Sequence, residues 1–383
     1  MNDIGAYGGM IADRGRMAPY AQALGRAVKP GAVVVDIGSG TGIFALIACQ
    51  HGARKVYAIE PNDAIHVARR IARDNGLLDR IEFIQDISTR VTLEERADVI
   101  VSDIRGILPF FERHIPAIID ARTRLLAPGG VLIPRRDTVW AALVSAPELH
   151  QRYAGPWNDR PFDLDMSAAA DLAINGWGKA RRPVELVVPP APWVTVDYAE
   201  VESADADGEL TWEVARHVTG HGLVLWFDAE LDERAGFTNA PTEPELIYGS
   251  AFFPWPSPVA LEAGDSVSVR FRARLVGNDY VFTWESRVTG KAGAEKLQRL
   301  QSSFFGPPQP PAARLKRQSA AYVPRLGKDG EIDAAILAAL AEGKPLGDIA
   351  RDIQERFHGA FATWTDALTR VGELCVKYAA PDV

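Results

Sequence analysis

Short apolar runs alternate with helical periodicity over the first third of the chain. Runs at 32–37, 55–60, 81–85, 98–102 and 130–133 have strand length, and intervals such as Asp63–Asn75 and Glu112–Leu126 repeat apolar residues at helical spacing. Strands separated by helices predict a doubly wound parallel sheet, which holds its ligand beyond the carboxyl ends of its strands. Asp36, Glu60, Asp86 and Asp103 all fall there.

After Pro134 the pattern changes to short alternating runs broken by Pro and Gly: Thr138–Val144, Val184–Val188, Val194–Val201, Leu210–Val218, Gly222–Glu230, Val267–Leu275 and Asp279–Val288. Alternation with period two predicts an antiparallel β domain, sandwich or barrel. A polar, Ala-rich insertion at about 147–182 is too long for a hairpin loop, so it caps a site or reaches a partner. The run Gly306-Pro307-Pro308-Gln309-Pro310-Pro311 reads as a stiff extended linker. Beyond it, Ile332–Leu340, Ile349–Phe357 and Ala367–Tyr378 show helical spacing around the turn Gly343-Lys344-Pro345-Leu346. The expected layout is an α/β domain at 1–135, a β domain at 136–305, a linker at 306–328 and a small helical module at 329–383.

Composition narrows the partners. The net charge is −8 and the pI near 5.5, so overall electrostatics give a nucleic-acid partner no support. No stretch approaches a membrane span, and no basic segment followed by an apolar run opens the chain. Two cysteines, Cys49 and Cys375, make neither a disulfide framework nor a metal site, and seven histidines are scattered without ligand spacing. We expect no metal, buried free thiols and a cytoplasmic location.

Candidate chemistry begins at Val33-Val34-Val35-Asp36-Ile37-Gly38-Ser39-Gly40-Thr41-Gly42. An apolar strand running into an Asp and a G-x-G-x-G turn suits an adenosine-type cofactor, because the glycines let backbone lie against a ligand where a Cβ would intrude. Glu60 ends the second strand about twenty residues later, the spacing at which an acid accepts from ribose hydroxyls. A dinucleotide fingerprint would place its third glycine at position 43, where Ile stands, and Asp36 would repel a pyrophosphate while suiting a cationic amino group. Asp86 ends a third strand, followed by Ile87, where an acid could accept from the adenine amino group. These features favour S-adenosylmethionine, with Asp36, Gly38, Gly40, Gly42, Glu60, Asp86 and Ile87 as cofactor residues.

The fourth strand runs into Ser102-Asp103-Ile104-Arg105-Gly106 and reaches Glu112 where the next helix is expected. Two acids in one cleft grip a cation, or keep one carboxyl protonated as a base or donor. Spacing alone equally allows Asp103 merely to end a strand and Glu112 to favour a helix dipole.

At these residues the chain resembles the protein arginine methyltransferase family over most of residues 10–290. That family carries a glycine-rich turn like Asp36–Gly42, a ribose acid like Glu60, and an S-E-W-M-G loop followed by a second Glu nine residues after the first. Ser102–Gly106 and Glu112 keep that spacing. Its M-x-x-D-x-x-R-x-x-x-Y pattern is matched by Met10, Asp13, Arg16 and Tyr20, with the Arg position binding the cofactor carboxylate. Leu225-Trp226-Phe227-Asp228 looks like a recurring barrel strand, and Phe162–Ser167 like the start of a dimerisation arm. The resemblance implies a Rossmann-type domain, a β-barrel with a dimerisation-arm insertion, a homodimer through that arm, and methyl transfer to a side chain of a peptide or protein. Arginine is the leading acceptor, with Asp103 and Glu112 catalytic.

The departures concern the acceptor side. Asp103 is shorter than Glu by one methylene, and Arg105 stands where the family has an uncharged residue. The loop expected to supply Thr-His-Trp reads Ser250-Ala251-Phe252-Phe253-Pro254-Trp255, and the family's N-terminal Tyr-rich helix is expected to be missing. Met10, Arg105, Phe252 and Phe253 are candidate substrate contacts, core packing being the other reading of the phenylalanines. A small-molecule methyltransferase and a cofactor-binding homologue without turnover stay open. The tail weakly resembles PqqD-like modules that bind leader peptides, and a three-helix or winged-helix scaffold explains the same spacing.

Overall fold

The structure, a computed structural model, describes residues 4–180, 184–305, 323 and 325–379; most of the expected linker lies outside them. Two compact units divide the chain after residue 309.

The first unit opens with helices α1 (Ile4–Ala12) and α2 (Arg14–Ala27). Strand β1 (Val33–Ile37), helix α3 (Ile43–Gln50), strand β2 (Lys55–Ile59), helix α4 (Ala64–Asp74), strands β3 (Ile81–Ile84) and β4 (Ala97–Ser102), helix α5 (His114–Arg124) and strand β5 (Leu126–Ile133) follow. The sheet is wholly parallel in the order β3-β2-β1-β4-β5. All five residues of β1 are buried, as a strand covered on both faces requires. The order reverses between β1 and β4, so the crevice opens beyond their carboxyl ends, at Gly38 and Asp103.

Two boundaries differ from the sequence reading. Helix α5 starts at His114, because the backbone of Glu112 is left-handed at φ 42° and cannot open a helix. Leu126 pairs with Ala97 in the sheet; Pro128-Gly129-Gly130 then bulges out, and pairing resumes between Val131 and Val99.

An antiparallel half follows, with β6 (Arg136–Ser145), helices α6 (Pro147–Asn158) and α7 (Ser167–Ala173), β7 (Gly178–Ala180), β8 (Glu185–Leu186), β9 (Ala191–Asp197) and β10 (Ala206–Glu213). It continues with β11 (Val218–Glu230), β12 (Gly236–Thr238), β13 (Ser250–Leu261), β14 (Ser266–Val276), β15 (Asp279–Thr289) and β16 (Glu295–Ser302). One curled sheet runs β7-β13-β11-β6-β8, with β12 on β11 and β9 on β6; the other runs β10-β14-β15-β16. Their inner faces meet in an aromatic core where Phe253 contacts the rings of Trp177, Phe271, Phe282 and Trp284.

The insertion after β6 is helical, its α6 packing on β13. Strand β13 is absent from the sequence reading because Pro254, Pro256 and Pro258 break the alternation. The ladder to β11 slips between Gly222↔Pro254 and Gly220↔Val259, so Pro256 and Pro258 need no cross-strand donor there.

The second unit contains helices α8 (Lys328–Ala341), α9 (Leu346–Arg356) and α10 (Trp364–Tyr378) around Ile332, Ile336, Ile349, Ile353 and Val371. A capping box joins Thr363 and Asp366 at the start of α10, and Arg370 is bonded bidentately to Asp333. Among the described residues no helix is long and apolar enough to cross a membrane.

Candidate functional site

The glycine turn after β1 is shaped from both sides. Gly38, Gly40 and Gly42 have φ of 71°, 52° and 83°, where side chains other than glycine are strained. A Cβ on Gly38 would meet Ile104 at 2.2 Å, and one on Gly40 would meet the Tyr7 ring at 2.4 Å. Tyr7 belongs to α1, so a helix does cover the turn where none was expected. With no fully buried residue of its own, α1 is held by such contacts.

Behind the turn, Glu60 is 4% exposed and bonded to the loop it serves. Its carboxylate accepts from Gly40 N at 2.9 Å, Asn62 N at 3.0 Å and Asn62 Nδ2 at 2.8 Å. A carboxylate has about four acceptor positions, so Glu60 keeps capacity for a ligand hydroxyl. Asp36 is fully buried and accepts from Ala45 N through one oxygen. Its other oxygen and the Ser39 hydroxyl are buried without a hydrogen-bond partner among the described residues. Burial lifts the Asp36 carboxyl to about 7, with a smaller upward push from Glu60.

A cleft of about 430 Å³ runs from this turn to the end of β4. Its walls bring together Met10, Arg16, Gly38, Glu60, Asp86, Ile87, Asp103, Arg105 and Glu112. Asp36, Gly40 and Gly42 shape the turn without forming the wall. Asp86 and Ile87 sit on the open side, the Asp86 carboxylate receiving the N–H of Ile87 and facing Arg90 at 3.5 Å.

Asp103 is held by three partners. Its carboxylate accepts from Arg16 Nε at 2.6 Å, Arg105 Nε at 3.1 Å and the Tyr248 hydroxyl. Burial alone would raise its carboxyl, but Arg16 and Arg105 bring it below the usual carboxylate range. Against the pull of burial, Asp103 and Tyr248 keep Arg16 charged. Glu112, by contrast, is exposed at the rim.

Two of the expected substrate contacts lie elsewhere. Phe252 and Phe253 are 1% and 0% exposed on β13, where alternation turns one towards Tyr153 of α6 and the other into the aromatic core. Arg105 reaches the wall but is buried and paired: Nη1 donates to Asp137 at 2.6 Å, and Nη2 donates to the Tyr20 hydroxyl. It offers no free cation to an anionic acceptor.

Some of the residues that position this site were silent in the sequence. Asp13 caps α2 through Arg16 N and holds Ile247 N at 2.7 Å, placing Tyr248 beside Asp103. Asn239 accepts from Phe227 N at 2.7 Å and donates to the carbonyls of Ile107 and Gly249, tying the two-acid loop to the β half. Tyr20 stacks on Phe44 and donates to Ser102 O, fixing the end of β4. Only Asp13 and Tyr20 carried a signal, through the spacing from Met10.

The known proteins similar to this chain are methyltransferases. The family model described as ribosomal protein L11 methyltransferase (PrmA) matches residues 20–151. The probable protein arginine N-methyltransferase 6 of Arabidopsis thaliana is 29% identical over 277 residues, 65% of this chain and 59% of that protein. A probable histone-arginine methyltransferase CARM1 of Oryza sativa subsp. indica is 30% identical over 318 residues, 77% of this chain and 59% of the relative. The chain thus spans about three fifths of the length of these two relatives.

Among solved structures, Arabidopsis thaliana protein arginine methyltransferase 10 superimposes with a TM-score of 0.71 at 23% identity, covering 78% of this chain and 97% of that one. The Trypanosoma brucei PRMT1 enzyme-prozyme heterotetrameric complex with AdoHcy gives 0.70 at 23% identity, over 78% and 98%. The neighbours in sequence and fold are protein arginine N-methyltransferases, and they give no support to a PqqD-like reading of the C-terminal helices.

Proposed function

We propose, from a fold and a sequence pattern shared with protein arginine N-methyltransferases, that this chain transfers a methyl group from S-adenosylmethionine to an arginine side chain of a peptide or protein. One observation carries the reading: a single cleft joins the glycine turn and Glu60 to the carboxylates of Asp103 and Glu112.

The residues present fit the cofactor. Ser39 on the wall, with the Asp36 carboxyl behind the turn, suits a cationic amino group, Glu60 has acceptor capacity for a ribose hydroxyl, and Arg16 stands on the wall as a partner for a carboxylate. S-adenosylmethionine supplies, when bound, a methyl group on a positively charged sulfur that leaves as a neutral thioether. The chain has to desolvate the nucleophilic nitrogen, align it in line with the breaking bond and receive its proton. In this reading Glu112, exposed at the rim of the cleft, orients an incoming guanidinium and takes that proton. Its left-handed backbone in a residue other than glycine supports a functional role, since such strain persists where the site requires it. Asp103 fixes Arg16 and Tyr248 around the acceptor end.

Finer readings rest on the same fold. Exposed Phe162 and Leu164, 96% and 59% accessible in the insertion, support a homodimer through that arm. A groove of the second unit, lined by Ile332, Phe361 and Arg370, supports recruitment of a peptide substrate. Cys49 and Cys375, both free thiols, agree with a reducing cytoplasm.

The test is transfer of labelled methyl from S-adenosylmethionine to peptides that differ only in carrying arginine, lysine or citrulline. Label on the arginine peptide alone supports the reading, and label on none of them contradicts it.

A further inference from the structure

The first carboxylate of the cleft is already engaged by the chain's own cations. Asp103 is 3% exposed in its side chain and contacts two guanidinium groups, Arg16 at 2.6 Å and Arg105 at 3.1 Å, besides the Tyr248 hydroxyl. Of about four acceptor positions on a carboxylate, three are used. Two positive charges against one negative charge leave a local excess, which Asp137 balances from the far side of Arg105. The buried chain Arg16–Asp103–Arg105–Asp137 is therefore neutral within itself.

Arg105 is fixed on every side. Its guanidinium lies 5.0 and 5.4 Å from the rings of Phe227 and Phe237, and it donates to Tyr20 as well as to Asp137. Asp137 accepts in turn from the Tyr198 hydroxyl, and that oxygen lies 2.8 Å from His114 Nε2. Because Tyr198 donates to Asp137, His114 must hold its proton on Nε2. Burial, with Arg105 nearby, drops the His114 imidazole to about 3, so it adds no charge.

A guanidinium entering from solvent therefore meets no uncompensated charge at Asp103, and the other carboxylate of the two-acid loop is exposed Glu112. We propose that Arg105, locked by Asp137, determines the acceptor preference of the cleft: together with Arg16 it occupies Asp103 and turns the positive end of the buried Arg105–Asp137 pair towards it, so that a cationic acceptor is held through Glu112. The inference rests on the methyltransferase reading for the identity of the acceptor, but acceptor binding does not require turnover.

The test is titration calorimetry of the full chain with S-adenosylhomocysteine present, using an arginine peptide and its neutral citrulline counterpart. In the double variant Arg105→Met with Asp137→Ala, the net charge of the cluster is unchanged, but the positive end of the pair beside Asp103 is removed and a second acceptor position of Asp103 is freed. The arginine peptide should bind about tenfold tighter than to wild type, while the citrulline peptide changes by less than about twofold. If the arginine peptide gains nothing, or both peptides shift alike, the proposal fails, because a merely structural role moves both. Should the double variant not fold, Arg105→Gln with Asp137→Asn keeps shape and hydrogen bonding and carries the same test. A parallel methyl-transfer assay separates the two readings: no transfer with the affinity shift retained overturns only the methyltransferase reading.

Discussion

Arg105 Nη1 stands 2.6 Å from Asp137 Oδ1, and neither side chain is exposed to solvent. Asp137→Ala leaves a guanidinium buried beside only one carboxylate, already shared with Arg16. We expect a loss of about 3–5 kcal/mol in denaturant unfolding. Adding Arg105→Met should restore most of that loss, since removing both charges ends the imbalance. A double variant no more stable than Asp137→Ala alone would show that the pair is not the coupled unit described.

Asp36 ties stability and cofactor binding to pH. Its folded carboxyl titrates at about 7, raised by burial above an unfolded value of about 4. The sign follows: its contribution to stability is full below about pH 4 and is lost as pH rises through about 7. A cationic amino group held at the turn in front of Asp36 favours the ionised form, so cofactor affinity should strengthen several-fold between pH 6 and about pH 7.5, below the range where an α-amino group itself loses its charge. Calorimetric titrations across that range, compared with Asp36→Asn, isolate the effect. An equal pH slope in both proteins rules Asp36 out as its source.

Gly40 tests the contact between the glycine turn and α1. Its φ of 52° disfavours any side chain, and a Cβ would sit 2.4 Å from the Tyr7 ring. Gly40→Ala must strain the turn and push Tyr7 away, and we expect cofactor binding at least about tenfold weaker. Tyr7→Ala in the Gly40→Ala background relieves the collision but not the backbone, so it should recover only part of the affinity. Full recovery would mean that α1, and not the turn, governs binding.

Glu112 and Asp103 separate by role. Glu112→Gln is nearly isosteric at an exposed site, so stability should change by less than about 0.5 kcal/mol while methyl transfer falls on the order of a hundredfold. Asp103→Asn weakens the hold on Arg16 and Arg105, so it should lower stability and cofactor affinity together with transfer. Unfolding curves and cofactor titrations on both variants distinguish the two patterns.

The parallel sheet and the glycine turn were legible because each of their residues answers to a local rule. Val33–Ile37 is apolar but for Asp36, Gly38, Gly40 and Gly42 take up positive φ, and Glu60 follows at fixed spacing. The curled sheets were legible in part: strands such as Val267–Leu275 alternate, whereas the prolines of β13 hid a strand and left Phe252 and Phe253 looking accessible. The acceptor end was least legible. Tyr248 reaches Asp103 across 145 residues and Asn239 reaches Ile107 across 132, contacts set by packing of the β half and not by any local pattern. Arg105 was visible as an oddity, but its pairing with Asp137 required the register of β6.

The central claim, methyl transfer to arginine, is tested most directly by incubating the full chain with labelled S-adenosylmethionine and an arginine-containing protein or peptide, then hydrolysing the product and identifying the labelled amino acid. Label in methylated arginine, greatly reduced by Glu112→Gln while that variant still binds the cofactor, is the expected result. Label confined to another residue or to a small molecule, or no transfer by a wild-type protein that binds the cofactor, would contradict it.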